Sequence, residues 1–296
     1  MNALADNIRV GVAGWSYPDW EGFVYTGRIR DKLQFLAGYV DLIEINSTFY
    51  RPPDAKNADS WVRRTDEFPG FYFTAKLHQE VTHQGLIEPA MVRAFHDGLD
   101  PMVRAGKLRH LLAQFRYDFA DHSETRTHLA AVRKNFGDLT NLVLELRHIS
   151  WQAPQALEFL QSLGVTVANL DYPTAKNSFN LEECRVGERG YLRLHGRNAA
   201  AWFDKAAGRD QTYNYLYSRK ELEHVRDRAI RLAHSFRDLT IVANNHYEGK
   251  EVANALQLKS MITGQKVRVP PGLVARYPEL KEIAAGEPHG QTGSLF

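Results

Sequence analysis

Four short stretches place one ionisable or amide residue two positions after another. They are Glu44 and Asn46 in LIEINSTF, Lys76 and His78 in FYFTAKLH, Glu145 and Arg147 in NLVLELRH, and Arg193 and His195 in YLRLHG. In an extended strand, residues two apart share a face, so each pair is aimed to one side. Glu44 and Glu145 could serve as general acid or base, and His195 could carry a proton. Arg193, Arg197, Lys76 and Arg147 are donors suited to phosphate or carboxylate. Asn46, Asn244 and Asn245 would orient a substrate, while His78 and His246 add proton carriers or ligands. Asp171 closes another apolar run. Trp15, Tyr17 and Tyr50 offer flat faces on which a sugar or base could stack, although aromatics pack between loops just as readily. A second reading of the charges is structural. Glu44 and Glu145 could be neutralised by Lys76, Arg147 and Arg193 in an ion-pair network.

The elements that must position these residues are legible from period and punctuation. Apolar runs suited to strands cover 8–15, 42–49, 71–77, 108–115, 141–148, 164–171, 191–196 and 239–245. Helix-like segments alternate with them at 31–39, 57–67, 89–105, 123–136, 154–163, 218–236 and 250–263. Pro89 stands where a first helical turn tolerates a missing N–H, and Ser123 is a candidate N-cap. Gly164 follows a helix where a left-handed residue is wanted. This rhythm predicts an α/β fold with eight parallel strands closed as a (β/α)₈ barrel of the TIM type over residues 1–285. An open doubly wound sheet is the alternative. Residues 286–296 read as a flexible tail. The polar pairs all fall near strand C-termini, which converge at one mouth of such a barrel. The long connections 172–190 and 197–217 leave from the same end.

The 296 residues are 44% hydrophobic and 24% charged, with a net charge of +2. That balance fits a soluble globular chain and gives no general preference for nucleic acid. A single cysteine, Cys184, excludes an internal disulfide and a multi-cysteine metal site. No signal-peptide pattern and no apolar run of membrane-spanning length are present, so a cytoplasmic location is expected. Phosphate-loop, HExxH and GxSxG patterns are missing as well.

The segments GVAGWSYPDWEGFVY, IEINSTFYRPP, FTAKLHQEVTH, LELRHISW, LRLHGR and NNHYEGKEVANAL resemble, in order, the motifs of the YecE-like family, domain of unknown function 72. The resemblance implies a TIM barrel and supplies no reaction. Barrels of the xylose-isomerase group, to which that family has been likened, gather acidic and histidine ligands around divalent ions. Glu44, Glu145, Asp171, His195 and His246 could imitate such a set. The neighbouring arginines and Lys76 would repel a metal, so no cofactor is expected.

The leading expectation is an enzyme acting on a small anionic substrate, such as a sugar phosphate, a nucleotide or a nucleic-acid end. Glu44, Glu145 and His195 would be catalytic. Trp15, Tyr17, Asn46, Tyr50, Lys76, His78, Arg147, Asp171, Arg193, Arg197, Asn244, Asn245 and His246 would bind. The alternatives are a glycoside hydrolase with a Glu44/Glu145 pair, or a non-catalytic binder of nucleic acid or a metabolite.

Overall fold

The computed structural model describes residues 5–286. Apart from Gly286, the expected tail lies outside the described residues. In chain order the strands are β1 (Ile8–Ala13), β2 (Leu42–Ile45), β3 (Tyr72–Lys76), β4 (Leu108–Gln114), β5 (Asn141–Glu145), β6 (Thr166–Val167), β7 (Asn169–Asp171), β8 (Gly190–Leu194) and β9 (Leu239–Ala243). The helices are α1 (Lys32–Ala37), α2 (Ala55–Arg64), α3 (Gln79–His83), α4 (Pro89–Arg104), α5 (Ser123–Phe136), α6 (Pro154–Ser162), α7 (Ala199–Trp202), α8 (Arg209–Thr212), α9 (Arg219–Ala233), α10 (Lys250–Thr263) and α11 (Pro271–Arg276). Side chains set several of the helix starts. Asp31 accepts from the Gln34 amide at 2.9 Å, Asp54 from the Asn57 amide at 3.0 Å, and Ser218 with Glu221 forms a capping box. Ser123 is the first residue inside α5 rather than its cap, a place taken by His122. Gly164, at φ 65°, ends α6 in the left-handed conformation expected of it.

The strands form one sheet in the order β6-β5-β4-β3-β2-β1-β9-β8-β7. Neighbouring strands run parallel throughout. The two strands at the ends of that order are consecutive in the chain, separated only by Ala168. The sixth expected strand is therefore bent into two pieces. Its first piece pairs with β5 and its second with β8. At the bend, the Val167 amide donates to Val186 O at 3.1 Å and the Ala168 amide to Leu144 O at 2.9 Å. The described residues thus hold nine strand segments in eight barrel positions, and the barrel closes through the bend.

Alternation along each strand divides the core in two. Leu42, Tyr72, Leu112, Val143, Leu170, Tyr191 and Val242 form a cluster inside the barrel. Ile43, Phe73, Leu111, Leu144, Leu192 and Ile241 belong to a larger cluster shared with the helices. Both faces of a helix-covered parallel strand are shielded from water, so both need apolar residues. Each large side chain removed from water contributes about 1.5–3 kcal/mol. Gly11 is required at its place in β1, because a Cβ there would meet Leu42 O at 2.0 Å. Among the described residues no helix is long and apolar enough to cross a membrane.

Candidate functional site

The inner face of the barrel is not wholly apolar. Near the N-terminal ends of the strands, Tyr72 Oη and Thr240 Oγ1 lie 2.7 Å apart, and His110 Nε2 lies 2.8 Å from the same hydroxyl. Asn141 donates to His110 Nδ1 at 2.9 Å and to Thr166 Oγ1 at 3.1 Å, and Thr166 donates to Arg189 O at 2.8 Å. Burial pushes the His110 imidazolium well below the usual histidine range, so the ring is neutral.

One step nearer the mouth lies a layer of charge. Arg193 is fully buried. Its Nη2 donates to Glu44 Oε1 at 2.6 Å, and its Nη1 donates to Glu145 Oε2 and, at 3.2 Å, to Gln114 Oε1. Tyr191 donates to Glu44 Oε2 at 2.8 Å. Arg147 donates twice to Glu145 Oε1, at 2.9 and 2.6 Å. Burial opposes the charge on Glu145, but Arg193 and Arg147 outweigh it and hold the carboxyl well below the usual carboxylate range. Asn244 Nδ2 lies 3.0 Å from His195 Nδ1, and His195 Nε2 lies 3.4 Å from Glu145 Oε1. The neutral tautomer protonated on Nε2 satisfies both contacts. Burial pushes this imidazole down to about 4. Two carboxylates and two guanidiniums thus balance one another beneath the mouth.

Lys76 is the exception. It is half-buried at the end of β3, and among the described residues its Nζ makes no ion pair and no hydrogen bond. The chain leaving β2 holds it. β2 stops at Ile45, and Asn46 turns into a helical conformation at φ −85°. Asn46 is therefore not the second residue of a same-face strand pair with Glu44. The turn brings the Thr48 hydroxyl against the Lys76 backbone, donating to its carbonyl at 2.6 Å and accepting from its amide at 3.1 Å. The same turn puts the Phe49 ring 5.0 Å from Lys76 Nζ. Burial, then the nearby Arg193, push this ammonium down to about 8 against the pull of Glu44 and Glu145.

Lys76 lines a cavity of about 460 Å³ together with Trp15, Tyr17, Asn46, Tyr50, Gln114, Asn244 and His246. Gly14 is part of the wall. Its φ of 94° suits glycine, and a Cβ there would meet the Tyr17 hydroxyl at 2.8 Å. Tyr17 stacks on His246 with ring centroids 4.7 Å apart, and His246 lies 5.3 Å from Tyr213. Burial and then Arg209 lower the His246 pKa, so the ring is neutral at pH 7.

Of the residues expected in the site, Trp15, Tyr17, Asn46, Tyr50, Lys76, Asn244 and His246 line this cavity. Glu44, Glu145, Arg193 and His195 lie beneath it in the charged layer, with Arg147 at its edge. Asp171, Arg197 and Asn245 are placed elsewhere. Asp171 falls outside the inward alternation and accepts from Arg197 Nε at 2.9 Å and from the Tyr217 hydroxyl at 2.7 Å. Asn245 donates to Tyr215 O at 2.8 Å. These three residues anchor the connection between β8 and α9. His78 caps α3 by accepting from the Glu80 amide at 3.2 Å. Arg209 and Tyr213 line the cavity without having been singled out in the sequence, and the only signal was the length of the connection that carries them. Glu251, fully buried on α10 and outside the cavity wall, was not singled out either. Among the described residues both its carboxylate oxygens lack a hydrogen-bond partner, and burial pushes its carboxyl well above the usual range.

Arg193, Arg147 and Tyr191 occupy the oxygens of Glu44 and Glu145. Among the described residues no three His, Cys, Asp or Glu side chains are grouped to hold a metal.

The family described as "Protein of unknown function DUF72" matches residues 9–277. The UPF0759 protein YunF of Bacillus subtilis (strain 168) is 28% identical over 272 residues, covering 86% of this chain and 94% of that protein. The crystal structure of a DUF72 family protein from Thermotoga maritima MSB8 aligns with a TM-score of 0.74 at 29% identity, over 86% of this chain and 99% of that one. One from Enterococcus faecalis V583 aligns with a TM-score of 0.76 at 25% identity, over 88% and 97%.

Proposed function

Because the chain belongs to the DUF72 family, a family without an assigned reaction, its chemistry has to be argued from its own residues, and we propose that it is an enzyme holding a small phosphorylated or carboxylated substrate in the cavity at the barrel mouth. One observation carries this reading: among the described residues Lys76 is a cation with no carboxylate partner, and it lines that cavity. The charged layer below is balanced within itself, so the positive charge of Lys76 is left for a ligand. Asn46, Gln114 and Asn244 supply amide groups for hydroxyls, and Trp15 and Tyr17 supply flat faces.

Within this reading Glu44, Glu145 and His195 position rather than react. A general acid or base works best with a pKa near the working pH. Glu145 and His195 are held far below it, whereas Lys76 lies close to it. The same argument weighs against a glycoside hydrolase. Such an enzyme needs one carboxyl kept protonated and room between the pair. Here Arg193 stands between Glu44 and Glu145 and bonds to both. A net charge of +2 gives little support to a nucleic-acid binder.

The test is calorimetric titration with inorganic phosphate at pH 7 and low salt. The expected result is saturable binding that Lys76→Met weakens at least about tenfold, the value of one charge-assisted hydrogen bond. Equal binding by both proteins, or none by either, would remove the reading.

A further inference from the structure

Lys76 has a second property that anion binding alone does not require. Among the described residues its Nζ has no hydrogen-bond or ion-pair partner, only the Phe49 ring, its backbone is clamped on both sides by Thr48, and its charge is opposed by the buried Arg193. A lysine that is desolvated beside another cation is the arrangement that makes an amine nucleophilic. The lysine side chains described elsewhere contrast with it. Lys250 bonds to Asn214 and Glu248, and Lys259 to Asp41, while Lys56 on α2 and Lys134 on α5 are exposed to water.

We propose that Lys76 forms a Schiff base with a substrate that carries an aldehyde or ketone as well as its anionic group. The inference rests on the anionic-substrate reading above and adds the nucleophile and the carbonyl. Neutral Nζ adds to the carbonyl carbon, and the carbonyl oxygen takes a proton to give a carbinolamine. The C–O bond then breaks and the oxygen leaves as water, carrying one proton from the amine and one from solvent. A protonated C=N bond remains, and no oxidant or reductant is consumed. The Gln114 and Asn244 amides in the same wall can hold the departing oxygen. With its pKa at about 8, a useful fraction of Lys76 is neutral at pH 7.5, whereas an ordinary lysine is almost wholly protonated there.

The experiment treats the full chain with glyoxylate and sodium cyanoborohydride at pH 7.5 and maps the reduced adduct by peptide mass spectrometry. Wild type, Lys76→Arg and Lys76→Met are compared, and phosphate titration is run on each. The expected result is labelling of Lys76 at least about tenfold faster than Lys56 or Lys134. The rate should rise with pH around 8 and fall when phosphate is added. Lys76→Arg should lose the adduct and keep phosphate binding, because it retains the charge without the nucleophile. If Lys76 is labelled no faster than Lys56 while phosphate still binds, the Schiff base is overturned and the anion reading stands. If Lys76 is labelled rapidly but phosphate neither binds nor protects, the anionic half of the substrate is overturned. The loss of both results overturns both readings.

Discussion

The barrel interior is polar at both ends, but its two ends treat their polar atoms differently. At the N-terminal end, Tyr72, His110, Asn141, Thr166 and Thr240 use their hydrogen-bonding groups on one another and on Arg189 O. At the mouth, among the described residues, Asn46 Oδ1 and Lys76 Nζ, both in the cavity wall, have no hydrogen-bond partner. An unmatched buried polar atom costs about 1–3 kcal/mol. The lower network is therefore closed and works as framework. The mouth carries an unused donor and an unused acceptor, as the proposed ligand site requires. Polar burial alone does not separate the two ends, but the matching of partners does.

Three substitutions probe that contrast. The largest effect is expected from Arg193→Met, which leaves Glu44 and Glu145 buried without the cation between them. Removing one partner from such a network costs about 3–5 kcal/mol, read as a fall in unfolding free energy in urea. A loss below about 1 kcal/mol would mean that the charged layer does not hold the interior. Next comes Lys76→Met, which is expected to stabilise. The folded pKa of about 8 lies below the free value of 10.5, so between those pH values the unfolded chain binds the extra proton and wild-type stability rises with pH. Below pH 8 the cost of burying the charged amine is present in full. The variant should gain roughly 1–3 kcal/mol at pH 7, with the advantage gone above pH 10.5. Unfolding curves at pH 7, 9 and 10.5 would check this. The smallest effect belongs to the closed end. Tyr72→Phe removes one hydrogen bond and should cost about 1 kcal/mol, with phosphate affinity unchanged. A changed affinity would show that the lower layer is coupled to the site.

The alternation of two was enough to bring Glu44, Lys76, Glu145, Arg193 and His195 to the inner face, because a parallel strand covered on both sides has few other reasons to carry charge. It failed at Asn46, where the chain had already left the strand. Asn46 still reaches the cavity, through the turn that also positions Thr48 and Phe49. Asp171 was misplaced for another reason: Thr166, Ala168 and Leu170 face inward, so alternation itself turns Asp171 outward, and only its place at a strand end had suggested the site. The choice between ion-pair network and site was also beyond the sequence, since spacing does not say which carboxylate meets which guanidinium. The structure assigns Glu44, Glu145, Arg147 and Arg193 to the network and leaves Lys76 facing the cavity. Arg209, Tyr213 and Glu251 were invisible for a simpler reason. The first two sit in a long connection whose one-turn helix is too short to show a period, and the third lies in the first turn of α10, where an acidic residue is ordinarily a surface one.

The central claim is that Lys76 faces the cavity with no directly bonded carboxylate among the described residues. Its most direct measurement is a carbon-detected NMR titration of lysine side chains, with Lys76→Arg used to assign the Lys76 signal. The account predicts that Lys76 loses its proton near pH 8, well below the ordinary lysine value. A Lys76 titration at the ordinary lysine value of 10.5 would contradict it.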